Sequence, residues 1–106
     1  MVELNKENFE EEITNHKGIA CVDFWSEKCE PCMALMPEVV AFAEKNASLA
    51  KFAKLDTAGN KRLSIAQKVM GVPTIVLYKD GERVQVYDKE SIDFGNIQAK
   101  LEELQG

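Results

Sequence analysis

Cys29-Glu30-Pro31-Cys32 is the stretch of this chain whose residue types and spacing can do chemistry. A cysteine works as a nucleophile or a metal ligand through its thiolate. Two cysteines with two residues between them on a turn can reach bonding distance. The pair therefore has two chemical readings, dithiol–disulfide exchange or metal ligation. A structural zinc site needs four ligands. The remaining candidates are His16, the chain's one histidine, and Cys21, which falls in an apolar run. A third reading leaves the cysteines without redox work and makes their position a coincidence.

That position is a strand–helix junction. Ile19-Ala20-Cys21-Val22-Asp23-Phe24-Trp25 is a nearly continuous apolar run of β-formers. It suits a strand covered on both faces of a parallel sheet. A helical pattern follows from about Cys32 to Lys45, with Leu35, Val39, Phe42 and Ala43 on one face and Pro37 as a kink inside it. Helix N-termini carry free N–H groups and partial positive charge, and both favour a thiolate. Cys29, just before the helix, is expected to be the exposed nucleophile. Cys32, inside the first turn, is expected to resolve the mixed disulfide. Pro31 stiffens the turn and fits the first helical position, where no N–H is needed.

The rest of the chain reads as alternating elements. Val2 to Leu4 can open a strand, and a helix from Asn5 or Glu7 would turn Phe9 and Ile13 inward, with Glu10-Glu11-Glu12 as its solvated face. Lys51 to Asp56 and Thr74 to Tyr78 read as strands. Asn60 can cap a helix to about Lys68 that turns Leu63 and Ala66 inward. Asp80-Gly81 is a hairpin signal returning through Arg83 to Tyr87. Ser91 can cap a last helix carrying Phe94, Ile97, Leu101 and Leu104. The order βαβαβαββα predicts an α/β sandwich around a mixed sheet, within one domain over residues 1–106.

Composition narrows the function classes. Eighteen acidic against thirteen basic residues give a net charge of −5, which argues against binding nucleic acid through phosphate attraction. No stretch approaches the ~20 apolar residues of a membrane span. Without a leader pattern at Met1 to Asn8, the expected location is cytoplasmic. Three cysteines, an odd count, argue against a secreted disulfide framework.

Taken together, Asp23-Phe24-Trp25, Cys29-x-Pro31-Cys32, Met36-Pro37, Lys54-Leu55-Asp56, Val72-Pro73-Thr74 and Lys79-Asp80-Gly81-Glu82 resemble the thioredoxin family, in register from about Ile19 to Tyr87. The resemblance implies a three-layer thioredoxin-like sandwich, helices flanking a mixed sheet. It implies a protein-disulfide reductase that needs no metal and no cofactor beyond the Cys29–Cys32 disulfide. A thioredoxin reductase would recycle it, its substrates would be disulfide-bearing proteins, and it would work as a monomer. Asp23, in a strand expected to be buried, resists ionising there. The resemblance makes it the proton acceptor and donor of Cys32, tuned by Lys54. Pro73 resembles the family's cis-proline, which with Gly71 and Val72 would present backbone to an extended substrate. Trp25 would pack under the active-site loop, and Met70 would line the groove with Lys28, Glu30 and Pro31 nearby.

The chain departs from the family pattern in ways that bear on partners. Lys28 replaces a tryptophan, Glu30 a glycine and Met33 a basic residue. Ala58 replaces an acid that supports the active-site tryptophan, and Tyr87 to Asp93 lacks a glycine. Lys28 favours a Cys29 thiolate and Glu30 opposes it. Cys-Glu-Pro-Cys without the preceding tryptophan is similar to atypical thioredoxins of some anaerobic bacteria, which suggests electron donation to a narrow set of reductases. The same fold could also serve a thiol oxidase or isomerase, or a non-catalytic binding module. Cys21, two residues before Asp23 and on its face of the strand, reads as buried packing.

Overall fold

Strand β2 (Ile19–Trp25) is buried along its length except at half-buried Trp25, as its nearly continuous apolar run predicts. In the computed structural model, which describes residues 1–105, it is the middle strand of a sheet. The other elements are β1 (Val2–Leu4), a π-helical segment (Glu10–Thr14), α1 (Glu30–Lys45), β3 (Lys51–Asp56), α2 (Lys61–Ala66), β4 (Thr74–Lys79), β5 (Glu82–Tyr87) and α3 (Phe94–Leu104). The described strands form one sheet in the order β1-β3-β2-β4-β5. β3 lies parallel to β1 and β2, β4 antiparallel to β2, and β5 antiparallel to β4. The sheet is mixed, as the element order predicts.

Alternation along β2 divides the core in two. Ala20, Val22 and Phe24 face one side, where Phe9 just before the π segment, Ile13 within it and Val69 beyond α2 cover them. Ile19 and Cys21 face the other side, under Phe42 and Ala43 of α1 and Ile97 and Leu101 of α3. Helices therefore cover both faces, giving three layers. Enclosing one such side chain, for example the fully buried Leu101, stabilises the fold by about 1.5–3 kcal/mol. The hairpin turn is the one expected: Asp80 and Gly81 both have positive φ. A side chain at Gly81 would also collide with the Thr14 carbonyl.

Local expectations are corrected in each of the four helical segments. The first helix closes with a π turn, Asn15 N–H donating to the Glu10 carbonyl at 2.8 Å, although Phe9 and Ile13 are buried as expected. Within it Glu12 is not simply solvated, since it pairs with Lys51 at 2.7 Å. Helix α1 begins at Glu30, so Pro31 is its second residue rather than its first. In α2 Ala66 is exposed and Ser64 is the buried residue. Asn60 occupies the cap position there but donates to the Asp56 carbonyl instead of accepting from the helix. Asp93, not Ser91, caps α3, accepting from Asn96 N–H at 2.9 Å. A carboxylate there meets the positive end of the helix, while Ser91 is held in a turn by the Asp88 carboxylate.

Candidate active site

Strands β2 and β3 end side by side, Trp25 opposite Asp56, and β4 begins next to them, Thr74 opposite Phe24. Three loops meet at that sheet edge: 26–29 after β2, 57–60 after β3 and 70–73 before β4. The carboxyl end of parallel strands is where open α/β sheets place their chemistry.

The first loop carries the cysteines, and they are joined as a disulfide with their Cα atoms 5.2 Å apart. Cys29 is the N-cap of α1 with extended backbone, and its Sγ accepts from Cys32 N–H at 3.2 Å. A sulfur thus takes the role that a Ser or Asp oxygen usually fills at a helix start. The loop is held by Cys29 N–H donating to the Ser26 carbonyl at 3.0 Å and Lys28 N–H to Ser26 Oγ at 3.3 Å. Cys29 is half-buried and Cys32 only 2% exposed. Lys28, Glu30 and Pro31 are exposed around them.

Asp23, two residues before the end of β2, is 3% exposed, with its Oδ1 lacking a hydrogen-bond partner. Burial pushes its carboxyl up to about 6, against a smaller downward pull from Lys54. Lys54 stands opposite Asp23 in the β2–β3 register. Its ammonium lies 5.3 Å from the centre of the Trp25 ring, a cation–π distance. The Trp25 carbonyl accepts from Thr57 N–H at 2.8 Å and from Thr57 Oγ at 3.3 Å, while its buried indole Nε1 has no partner. With Ala58 in place of an acid, the chain lacks there the acceptor that the family pattern would bring.

The third loop contains a cis Val72–Pro73 peptide bond. Thr74 Oγ donates to the Gly71 carbonyl at 2.7 Å and ties the loop to β4. Pro73 is buried, Val72 half-buried against the core, Gly71 exposed, and Met70 81% exposed. Grooves of about 300 and 320 Å³ flank Met70–Val72, one against α2 and one against the 88–90 loop. The structure thus brings Cys29, Cys32, Asp23, Trp25, Lys54 and Pro73 to one sheet edge, with Met70, Gly71 and Val72 beside them. Sequence reading missed Ile65 and Lys61 of α2, which face Met70 across the first groove. A six-residue helix has too few apolar positions for its periodicity to reveal which face borders the site.

Cys21 is separate from this edge. It is buried in the α1/α3-side core, and burial, then the nearby Asp23, push its thiol well above the ordinary range. Among the described residues no cluster of three or more His, Cys, Asp or Glu side chains is arranged to hold a metal ion. No described helix is long and apolar enough to cross a membrane.

Comparison with known proteins gives this geometry a lineage. The family model described as Thioredoxin matches residues 1–103. The thioredoxin of Acetoanaerobium sticklandii is 44% identical over 101 residues, covering 95% of this chain and 96% of its own. That of Peptoclostridium acidaminophilum is 40% identical over 101 residues, covering 95% and 92%. Among solved structures, a mutant thioredoxin from Halobacterium salinarum superposes with a TM-score of 0.85 at 30% identity, over 99% of this chain and 90% of that one. The chain belongs to the thioredoxin family and is a dithiol–disulfide oxidoreductase.

Proposed function

We propose that this chain reduces disulfides in other proteins, with Cys29 as the attacking sulfur, Cys32 as the resolving sulfur and Asp23 as their proton relay. The observation that supports it most is the asymmetry of the pair. Cys29 caps the helix and is half-buried, whereas Cys32 in the first turn is enclosed. In the reduced protein the free N–H groups and partial charge of the helix start favour a Cys29 thiolate.

That thiolate attacks one sulfur of a substrate disulfide. The substrate S–S bond breaks as the mixed disulfide forms, and the departing substrate thiolate takes up a proton. Cys32 then gives its proton to Asp23 and attacks Cys29 Sγ. The second substrate thiol leaves, taking a proton in turn. The substrate gains two electrons and two protons, and the chain ends with the Cys29–Cys32 disulfide. A carboxyl held at about 6 is ionised at neutral pH and is more basic than an exposed one, which suits it to accept that proton. Lys54 sets how basic it is. Pro73, Val72 and Gly71 hold the substrate backbone, with Trp25, Lys28, Glu30, Pro31 and Met70 around it. A thioredoxin reductase restores the dithiol, and no metal or organic cofactor takes part. The reading takes the chain as a cytoplasmic monomer. The exposed charges of Lys28 and Glu30 favour a narrower version, electron donation to a few dedicated reductases.

The test is to trap the intermediate. Reduced Cys32→Ser protein, mixed with oxidised insulin, should accumulate a covalent adduct through Cys29, seen by intact mass and released by dithiothreitol. A well-folded variant that forms no adduct would contradict the assignment.

A further inference from the structure

Charge is unevenly spread along this acidic chain. Residues 57–73, between β3 and β4, hold Lys61, Arg62 and Lys68 and none of the eighteen acidic residues. All three cations are exposed. Lys61 and Arg62 share a hollow of about 560 Å³ with the exposed Lys6, and Glu7 is the one acidic residue lining it. The ion pairs among the described residues are Lys51–Glu12 and Lys100–Glu103. None of these four cations is therefore paired with a carboxylate.

Local structure does not account for their placement. Lys61 and Arg62 occupy the first turn of α2, which has no acid, and a helix start disfavours positive charge. Lys68 lies just past the helix end with φ 62°, a left-handed conformation that favours glycine. Its charge is not needed to cap the helix, because Arg83 Nη1 already donates to the Gln67 carbonyl at 3.2 Å. Residues that break local rules are expected where a surface has another task. The six residues of α2 span about 9 Å. That is close to the Debye length of about 8 Å at physiological salt, so the two ends contribute to one positive field.

We propose that α2 and Lys68 form a docking surface for an acidic protein, the bearer of the disulfide that the chain reduces. Helix α2 lies between the 57–60 and 70–73 loops, and both loops meet the Cys29 loop at the sheet edge. A protein bound at that edge has α2 beside it. An acidic protein fits better than a nucleic acid. The net charge of −5 opposes a long polyanion, whereas a local positive field suits an acidic patch of similar size. The cations speed encounter and orient the partner. The inference rests on the disulfide-reductase reading above and adds to it the charge of the proteins that are preferred.

Synthetic peptides test it, each carrying one cysteine as a mixed disulfide with thionitrobenzoate, whose release is coloured. A flexible glycine–serine linker joins that cysteine to a short tail of glutamates, glutamines or lysines. At low salt the native chain should reduce the glutamate-tailed peptide about tenfold more efficiently in kcat/KM than the glutamine-tailed one, and the lysine-tailed one least. The ratios should approach one at about 1 M salt, where the Debye length is about 3 Å. The double variant Arg62→Glu/Lys68→Glu should invert the order of the tails. Its rate on the glutamine-tailed peptide should stay within about twofold of native, which also shows that it is folded. Lys17→Glu/Lys45→Glu makes the same change in net charge at exposed sites outside α2 and should keep the native order. Soluble polyglutamate should inhibit reduction of the glutamate-tailed peptide more than oligothymidylate does at equal charge. Equal rates for all three tails would overturn the docking surface and leave the reductase reading intact. A glutamate preference that persists in Arg62→Glu/Lys68→Glu, or that is lost in Lys17→Glu/Lys45→Glu, would also overturn it. Stronger inhibition by oligothymidylate would mark a nucleic-acid surface and overturn it too. Failure to reduce any of the peptides would remove the reductase reading and the docking surface with it.

Discussion

Strand β2 carries one cysteine near its start, and the loop after its end carries another. Cys21 is enclosed between Phe42, Ile97 and their neighbours in the α1/α3-side core, with its thiol pushed well up by burial. Cys29 caps a helix at the sheet edge, with Cys32 N–H pointing at its sulfur. The side chains are chemically identical, so the difference in what they can do is entirely environmental. An apolar enclosure opposes the charge a thiolate needs, and a helix start supplies the dipole and donors that favour it. Asp23 stands between them and shares both conditions. It is buried like Cys21, yet it lies at the reactive end, and its carboxyl is poised at about 6 instead of being silenced.

The largest contrast should appear in alkylation of the fully reduced protein. With iodoacetamide at pH 7, Cys29 is expected to react at least about a hundredfold faster than Cys21. Cys21 should label only once denaturant opens the core, read by peptide mass mapping. Comparable labelling of both in the folded protein would break the comparison.

Asp23 sharpens it. Asp23→Asn should slow turnover on protein disulfides by about a hundredfold. It should also remove the rise in native turnover expected as pH passes through about 6. Stability moves in the opposite direction. The folded carboxyl titrates near 6 against an ordinary value of 3.8, so the folded state binds the proton more tightly. That contribution is fully present below about 3.8 and is lost as pH rises through 6, on the order of 3 kcal/mol in all. Denaturation midpoints of the native chain should fall over that window, and those of Asp23→Asn should stay flat. Parallel curves for the two proteins would show that Asp23 is not held in a desolvated site.

The smallest effect concerns the unpartnered Trp25 indole. Ala58→Asp restores the acid of the family pattern and should raise the unfolding free energy by about 1 kcal/mol, measured by urea titration. No gain would mean that position 58 cannot reach the indole N–H.

Much of the fold is legible in the sequence because the deciding signals are local. Ile19–Trp25 and Thr74–Tyr78 read as strands from their β-formers, and Asp80-Gly81 reads as a hairpin from its need for positive φ. The Cys29-Pro31-Cys32 spacing at a strand end points to the helix start without any geometry. What is not legible depends on competition between near-equal partners. Ser91 and Asp93 are both good caps, and the turn with Asp88 decides between them. Helix α2 is too short for its face to be read, so periodicity turns Ala66 the wrong way and does not single out Ile65, a lip of the groove beside the site. The π closure at Asn15 reflects a choice between i+4 and i+5 acceptors that no residue type announces. The family pattern brings Lys54 near Asp23, but its position over the Trp25 ring needs the third dimension.

Reactivity, on this account, resides at Cys29 and not at Cys21. The most direct measurement is dithiothreitol-driven reduction of insulin, followed by turbidity, for the native chain, Cys29→Ser and Cys21→Ser. Rapid reduction is expected from the native chain and from Cys21→Ser, with a loss of more than about a thousandfold in Cys29→Ser. Reduction that survives Cys29→Ser, or that disappears in a well-folded Cys21→Ser, would contradict it.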